Sequence, residues 1–313
     1  MLAALFAWES TMKLMPGVLP HWQDVPADNF AAEFPSTAIV GVNLDQRSAK
    51  QLYDCIVPWN GPFAKEPAWA GKLGASIYAK GRQVLWSVPF PGERQLEAVI
   101  DGKHDALYIA AAQSIREVAK GFPSLALVFV RLGWEFNLWG NTENRALDKA
   151  GKPNAQLCAR AWSHIAGIFS AAFRNSRASL RLVWSPSVER SEVVPWKAAW
   201  PGVEFVDVIA PDLYLCHGFG HTPGVYTGGW FRDVLLDMRA FAREKNKAFG
   251  YGELGADSDD FATDVQMALA DAEAFTGPAG GMVMWWNDYQ VVDCRITDGR
   301  LPALAAKYKA ALS

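Results

Sequence analysis

The sequence predicts a (β/α)8 barrel, the TIM-barrel class of α/β folds, and three observations carry that expectation. Short apolar runs alternate with helix-patterned stretches along nearly the whole chain. Seven such runs are distinct and an eighth is needed near the start, and eight sequential right-handed βα units close most simply as a barrel. The rival, a doubly wound open sheet, announces itself with a glycine fingerprint after its first strand, and neither G-x-G-x-x-G nor G-x-x-x-x-G-K-[ST] is present. Barrels of ~250 residues or more often fold as one domain, so a single domain over 1–313 is expected.

KLMPGVLP (13–20) is taken as strand one, with LAALFAW (2–8) as its rival. The next strands are STAIVGVNL (36–44), QVLWSVPF (83–90), LALVFVRLGW (125–134), LRLVWSP (180–186), VDVIAPDLYL (206–215), KAFGYGEL (247–254) and GMVMWWN (281–287). Their near-continuous apolar character is that of strands covered on both faces. Apolar residues at three- and four-residue spacing predict helices over 104–120, 155–173, 230–245, 260–275 and 301–312. Asp259 and Asp260 stand where the fourth of these wants an acidic cap. WNGPFAKEPAWAGKLG (59–74) reads as a long cleft wall. CHGFGH (216–221), with Gly224, Gly228 and Gly229, reads as a mobile flap after strand six.

Composition removes several classes of function. The chain is 50% apolar and 20% charged with net charge −3, which suits a packed globular protein and leaves no basic footprint for nucleic acid or an anionic membrane. No apolar run reaches the ~18 residues of a membrane span. The start, MLAALFAWES, has no basic residue ahead of its apolar run and is broken by Glu9, so no secretory leader is expected. Cys55, Cys158, Cys216 and Cys294 lie far apart without CxxC pairing, and buried free thiols are expected rather than zinc or a disulfide framework. Cys216, His217 and His221 match no established metal spacing, and no G-x-S-x-G elbow marks a serine hydrolase. His104 and His164 fall in helices as surface or packed residues. No cofactor is implied and a monomer is expected. Fourteen Trp exceed what a core needs, and spare indoles serve as flat apolar surfaces for stacking.

In barrels of this class the C-terminal ends of the strands line the active site. Strand four ends in RLGWEFN (131–137), where a two-residue period puts Arg131, Gly133 and Glu135 on one side. Strand seven ends in GYGELG (250–255) and carries Glu253, strand six carries Asp212 and Tyr214 on one parity, and strands five and eight end at Trp184 and in MWWND (284–288). Two glutamates at matching strand ends are the pair glycoside hydrolysis needs: a proton donor for the departing sugar oxygen and a carboxylate facing the anomeric carbon. Trp134, Trp139, Trp184, Trp285, Trp286 and Trp22, with His21 and Asp288, are candidate sugar contacts. Adjacent residues on a strand face opposite ways, so only one of Trp285 and Trp286 should reach the cleft. Asn137 is either a polar contact to sugar or a cap for its loop.

The strings RLGWEFNLWG (131–140), LVWSPS (182–187), DVIAPDLYL (207–215) and GYGELGA (250–256) resemble the retaining glycoside hydrolases of clan A, and within them family 26, the endo-β-mannanase family and its relatives. The resemblance runs over roughly residues 36–290, with 118 residues from Glu135 to Glu253. It implies that Glu135 is the acid/base and Glu253 the nucleophile of a double displacement. It further implies that Tyr214 hydrogen-bonds the nucleophile, that Arg131 belongs to the family pattern, and that Asp212 orients sugar or supports Arg131. Mannanases of the family place His before the acid/base where this chain has Trp134, so the implied substrate is a β-linked polysaccharide, whether mannan, glucan or bacterial exopolysaccharide, with attack within the chain. Such substrates imply export. Two other classes stay open: a carbohydrate-binding barrel without turnover, and a metal-dependent hydrolase such as a deacetylase.

Overall fold

The computed structural model describes residues 14–20, 27–44, 69–122, 127–141, 144–189, 193–275, 281–287, 292–297 and 299–311. His21, Trp22, Asp288, Cys55 and the rival first strand at 2–8 lie outside the described residues.

In chain order the elements are β1 (Leu14–Pro20), α1 (Ala27–Glu33), β2 (Ile39–Asn43), α2 (Trp69–Ala79), β3 (Gln83–Val88), α3 (Leu96–Ile100), α4 (Asp105–Lys120), β4 (Leu127–Leu132), α5 (Ala155–Phe173) and β5 (Ser179–Trp184). They continue as β6 (Val208–Ile209), β7 (Asp212–Leu215), α6 (Trp230–Glu244), β8 (Ala248–Phe249), β9 (Tyr251–Ala256), α7 (Ala262–Glu273), β10 (Gly281–Asn287) and α8 (Pro302–Ala311). The described strand pairings are parallel, and eight strand positions alternate with helices, so the fold is the (β/α)8 barrel. Positions six and seven are each split in two, and β5 is followed by a 3-10 turn, Trp196–Ala199, in place of a full helix. At the break in position seven, a Cβ on Gly250 would stand 1.9 Å from the Met282 carbonyl oxygen, so only glycine passes there.

The chain divides into two compact units, Met1–Gly41 with Val208–Ser313, and Val42–Asp207. In the first, β1 lies beside β10 and the start of β2, β10 beside β9, β9 beside β7, and β6 beside β8. In the second, β4 runs between β3 and β5. Three helices were not foreseen. Residues 69–74, expected in a cleft wall, open α2, whose Gly71 and Gly74 dilute the helical pattern; α1 and α3 are too short to show a period. Asp259 does cap a helix, though not the expected one. Its carboxylate accepts from the Ala303 and Leu304 amides (3.2 and 2.9 Å) at the start of α8, and Ser258 accepts from the Asp260 amide ahead of α7. No described helix is long and apolar enough to cross a membrane.

Much of the tryptophan is core. Trp86, Trp162 and Trp184 are fully buried in the second unit and Trp285 in the first. An indole removes ~200 Å² from water, worth about 5 kcal/mol at ~25 cal/mol/Å². Their N–H groups are used: Trp162 donates to the Leu132 carbonyl (3.0 Å) where β4 ends, and Trp285 to the Cys294 carbonyl (2.9 Å).

Candidate active site

The Glu135 turn belongs to the second unit. β4 ends at Leu132 rather than at residue 134, so strand alternation does not deliver Glu135. The backbone turns instead. Gly133 has φ +44° and donates to the Val88 carbonyl (2.9 Å), and a side chain there would press on the Phe90 ring at 2.7 Å. Glu135 itself has φ +51°, a left-handed conformation that costs a non-glycine residue about 1–2 kcal/mol. Its amide donates to the Ser185 carbonyl beyond β5 (2.8 Å), and its half-buried carboxylate accepts from the Asn141 amide (3.4 Å).

Arg131 is buried on β4, in register with Ser87 of β3. Its guanidinium donates to the Ser87 hydroxyl (3.1 Å) and the Asn43 carbonyl oxygen of the side chain (3.5 Å), and lies 4.9 Å from the centroid of the Trp134 ring. Trp134 is therefore a buried wall behind Arg131 and does not offer that face to a sugar. Asn137 does not cap its own loop: its side chain donates to the Ser187 carbonyl and accepts from the Ser187 amide, both at 2.8 Å, pinning the exit of β5. Trp184, 1% exposed, packs on Phe136, Trp196 and Trp200 and is core, not a sugar platform. Trp139 differs. It is 44% exposed, with the Arg145 guanidinium 5.6 Å from its ring and Arg145 held by Glu93 at 2.7 Å.

Glu253 sits in the first unit on β9, where the register against β10 shifts between Tyr251 and Leu254; it is in register with Asp212 of the neighbouring β7, and both are buried. Glu253 is 4% exposed and accepts a short hydrogen bond from the Tyr214 hydroxyl. Phe219 and Trp286 each set an edge against the Tyr214 ring, with centroids 6.1 and 6.3 Å away. Of the pair at 285–286, Trp285 is core and Trp286 is the partly open one, as alternation requires. Phe219, 43% exposed, was not singled out by sequence; its signal was only its place within CHGFGH.

The loop after β7 is tied down rather than left as a free flap. Asp257 accepts from the His217 and Gly218 amides (3.0 and 3.1 Å), and buried Asp264 of α7 accepts from the amides of Gly224 (2.8 Å), Tyr226 (2.9 Å) and Thr227 (3.3 Å). Cys216 and Cys294 are buried free thiols with sulfurs 3.8 Å apart; their mutual hydrogen bond and burial push the Cys294 thiol well up. Among the described residues no group of three His, Cys, Asp or Glu side chains is placed to hold a metal ion. His164 of α5 bonds Asp105 of α4 at 2.6 Å, and His104 immediately precedes α4.

No protein-family model matches the chain, and no curated protein matches it in sequence. Solved structures do. GH26C from a Muricauda species is similar at a TM-score of 0.67 and 15% identity, over 99% of this chain and 88% of that one. A GH26 β-mannanase from Bacteroides ovatus gives 0.63 and 13%, over 99% and 91%. A hyperthermostable endo-1,4-β-D-mannanase from Thermotoga petrophila gives 0.59 and 12%, over 95% and 99%. At such identities the likeness is one of fold, the (β/α)8 barrel that these structures share with this chain.

Proposed function

We propose that this protein is a retaining glycoside hydrolase that cuts within a β-linked polysaccharide: mannan, glucan or a bacterial exopolysaccharide. The observation that carries the reading is a buried strand carboxylate, Glu253, receiving the hydroxyl of Tyr214, in a chain whose fourth strand leads into a second carboxylate, Glu135. A phenol donating to a carboxylate fixes its direction, as a nucleophile needs.

In this reading Glu253 attacks the anomeric carbon, forming the glycosyl–carboxylate bond as the glycosidic C–O bond breaks. Glu135, protonated, gives its proton to the departing oxygen. Glu135 then takes a proton from water, whose oxygen attacks the anomeric carbon and releases Glu253. Trp139, Trp286 and Phe219, partly or largely exposed rings, supply faces for pyranose C–H groups. The substrate class is supported by the printed names of the similar structures, among them β-mannanases.

The test is a product profile by mass spectrometry on β-mannans, β-glucans, galactans and bacterial exopolysaccharides, with Glu135→Gln and Glu253→Gln as controls and the anomer of the first product read by proton NMR. Shortened oligosaccharides with retained configuration, abolished in both variants, are expected. Binding without new reducing ends, or an inverted first product, overturns the reading.

A further inference from the structure

We infer that Asn141 is a positioning residue for Glu135, one side-chain amide gripping both the peptide ahead of that glutamate and its carboxylate. The inference deepens the hydrolase reading above and rests on it for its catalytic consequence, though not for its geometry.

Two positive φ angles within three residues, at Gly133 and Glu135, make a turn that glutamate does not adopt by preference. Something must hold it. Backbone bonds secure part of it, from the Gly133 amide to Val88 and from the Glu135 amide to Ser185. The intervening peptide is held from the side: the Asn141 Nδ2 group donates to the Trp134 carbonyl at 3.0 Å and to Glu135 Oε2 at 3.4 Å. One amide has two protons, and here they serve two acceptors.

Asn141 is fixed in turn. Its Oδ1 accepts from the Asn144 amide (3.4 Å), and the buried Asn144 side chain accepts from the Phe90 amide (2.9 Å) just past β3. The ring of Phe90 is also what excludes a side chain at Gly133. The exit of β3 thus braces the Glu135 turn twice, by ring contact and through the Asn144–Asn141 relay.

The chemical consequence follows from which group donates. An amide N–H on Oε2 favours the carboxylate form. A carboxyl that must donate and then accept within one cycle needs that restraint on its proton affinity.

The experiment is a carbon-13 NMR titration of protein labelled at the glutamate side-chain carboxyl, with Glu135→Gln used to assign the resonance, in wild type, Asn141→Asp, Asn141→Ala and Asn141→Ser. Aspartate keeps the shape and loses the donor; serine keeps one donor and is the variant to read if alanine does not fold. The Glu135 midpoint should rise by about one pH unit in Asn141→Ala, more in Asn141→Asp and less in Asn141→Ser. On a cleaved polysaccharide, kcat should fall about 10–100-fold with KM within about twofold, and the alkaline limb of the pH profile should move up with the titration. An unmoved midpoint in a folded variant overturns the inference, whatever the activity. A moved midpoint in a protein that cleaves no polysaccharide leaves the Asn141 assignment standing and removes the hydrolase reading instead.

Discussion

Glu253 and Glu135 are presented by different means, the one from within a strand and the other from a turn beyond one. Glu253 stays in β9, where the register against β10 shifts between Tyr251 and Leu254; its neighbour in register on β7 is Asp212, and the Tyr214 hydroxyl donates to its carboxylate. Glu135 has left its strand, holds a left-handed backbone angle and depends on glycine, an indole-bearing peptide and an asparagine relay to stay put. A buried acceptor gains from a strand paired on both sides, which holds its backbone in place. A carboxyl that must both give and take a proton gains from a turn, where it remains half-exposed. Strain at such a place is a cost the surroundings must offset.

The largest effect separates the two chemically. Glu253→Ala should lower kcat by about 10⁴–10⁶, the range met when a covalent nucleophile is removed; Glu135→Ala should lose about 10²–10⁴ on polysaccharide. With an aryl glycoside whose leaving group needs no protonation, Glu135→Ala should regain much of its first step, and azide should then release a glycosyl azide of retained configuration. Restoration of Glu253→Ala under the same conditions, with Glu135→Ala silent, would reverse the assigned roles.

Next come the indoles, which divide along the same line between regular core and exposed turn. Trp184→Ala should cost about 3–5 kcal/mol by chemical denaturation, because it empties a site lined by Phe136, Trp196 and Trp200. Trp139→Ala should change stability by under ~0.5 kcal/mol yet weaken oligosaccharide binding about 3–10-fold, measured by calorimetry. Equal losses of stability in the two variants would remove Trp139 from the sugar-binding surface.

Legibility followed the same division. β10 and α5 match their expected bounds because a doubly covered strand and a long amphipathic helix announce themselves over many residues. Of Trp285 and Trp286, which alternation sends to opposite faces, only Trp286 is partly open. Alternation does not reach Glu135, since β4 stops at Leu132 and φ turns positive at Gly133. Trp134 and Trp184 were misassigned for a plain reason: an indole looks the same in sequence whether it fills a core or faces solvent. Asn141 left no signal, because its role lies in two hydrogen bonds that no spacing encodes.

A smaller effect tests the strand side alone. Tyr214→Phe removes the hydroxyl from Glu253 while keeping the ring between Phe219 and Trp286. A hydrogen bond to a charged acceptor is worth about 1.5–3 kcal/mol, so kcat should fall about 10–150-fold with the melting temperature nearly unchanged. A loss confined to stability would make the tyrosine a packing residue.

The smallest effect lies in the scaffold behind that strand. Tyr251 of β9 anchors to α7 through the Ala268 carbonyl (2.9 Å), and α7 is bound to α6 through Asp271, which accepts from Arg232 (2.8 Å) and from Tyr226 (3.0 Å). Burial acts to raise the Asp271 carboxyl, but Arg232 and Tyr226 outweigh it and hold it below the usual carboxylate range. A depressed folded value contributes stability that is full above the unfolded value near ~3.9 and disappears as pH falls through the folded one. Asp271→Asn should therefore be less stable than wild type from neutral pH down to about 5, and the gap should close between about pH 4 and 2, followed by tryptophan fluorescence during urea unfolding at each pH. A gap that persists unchanged to pH 2 would show that Asp271 acts by shape rather than charge, and that the strand side of the molecule owes its rigidity to packing alone.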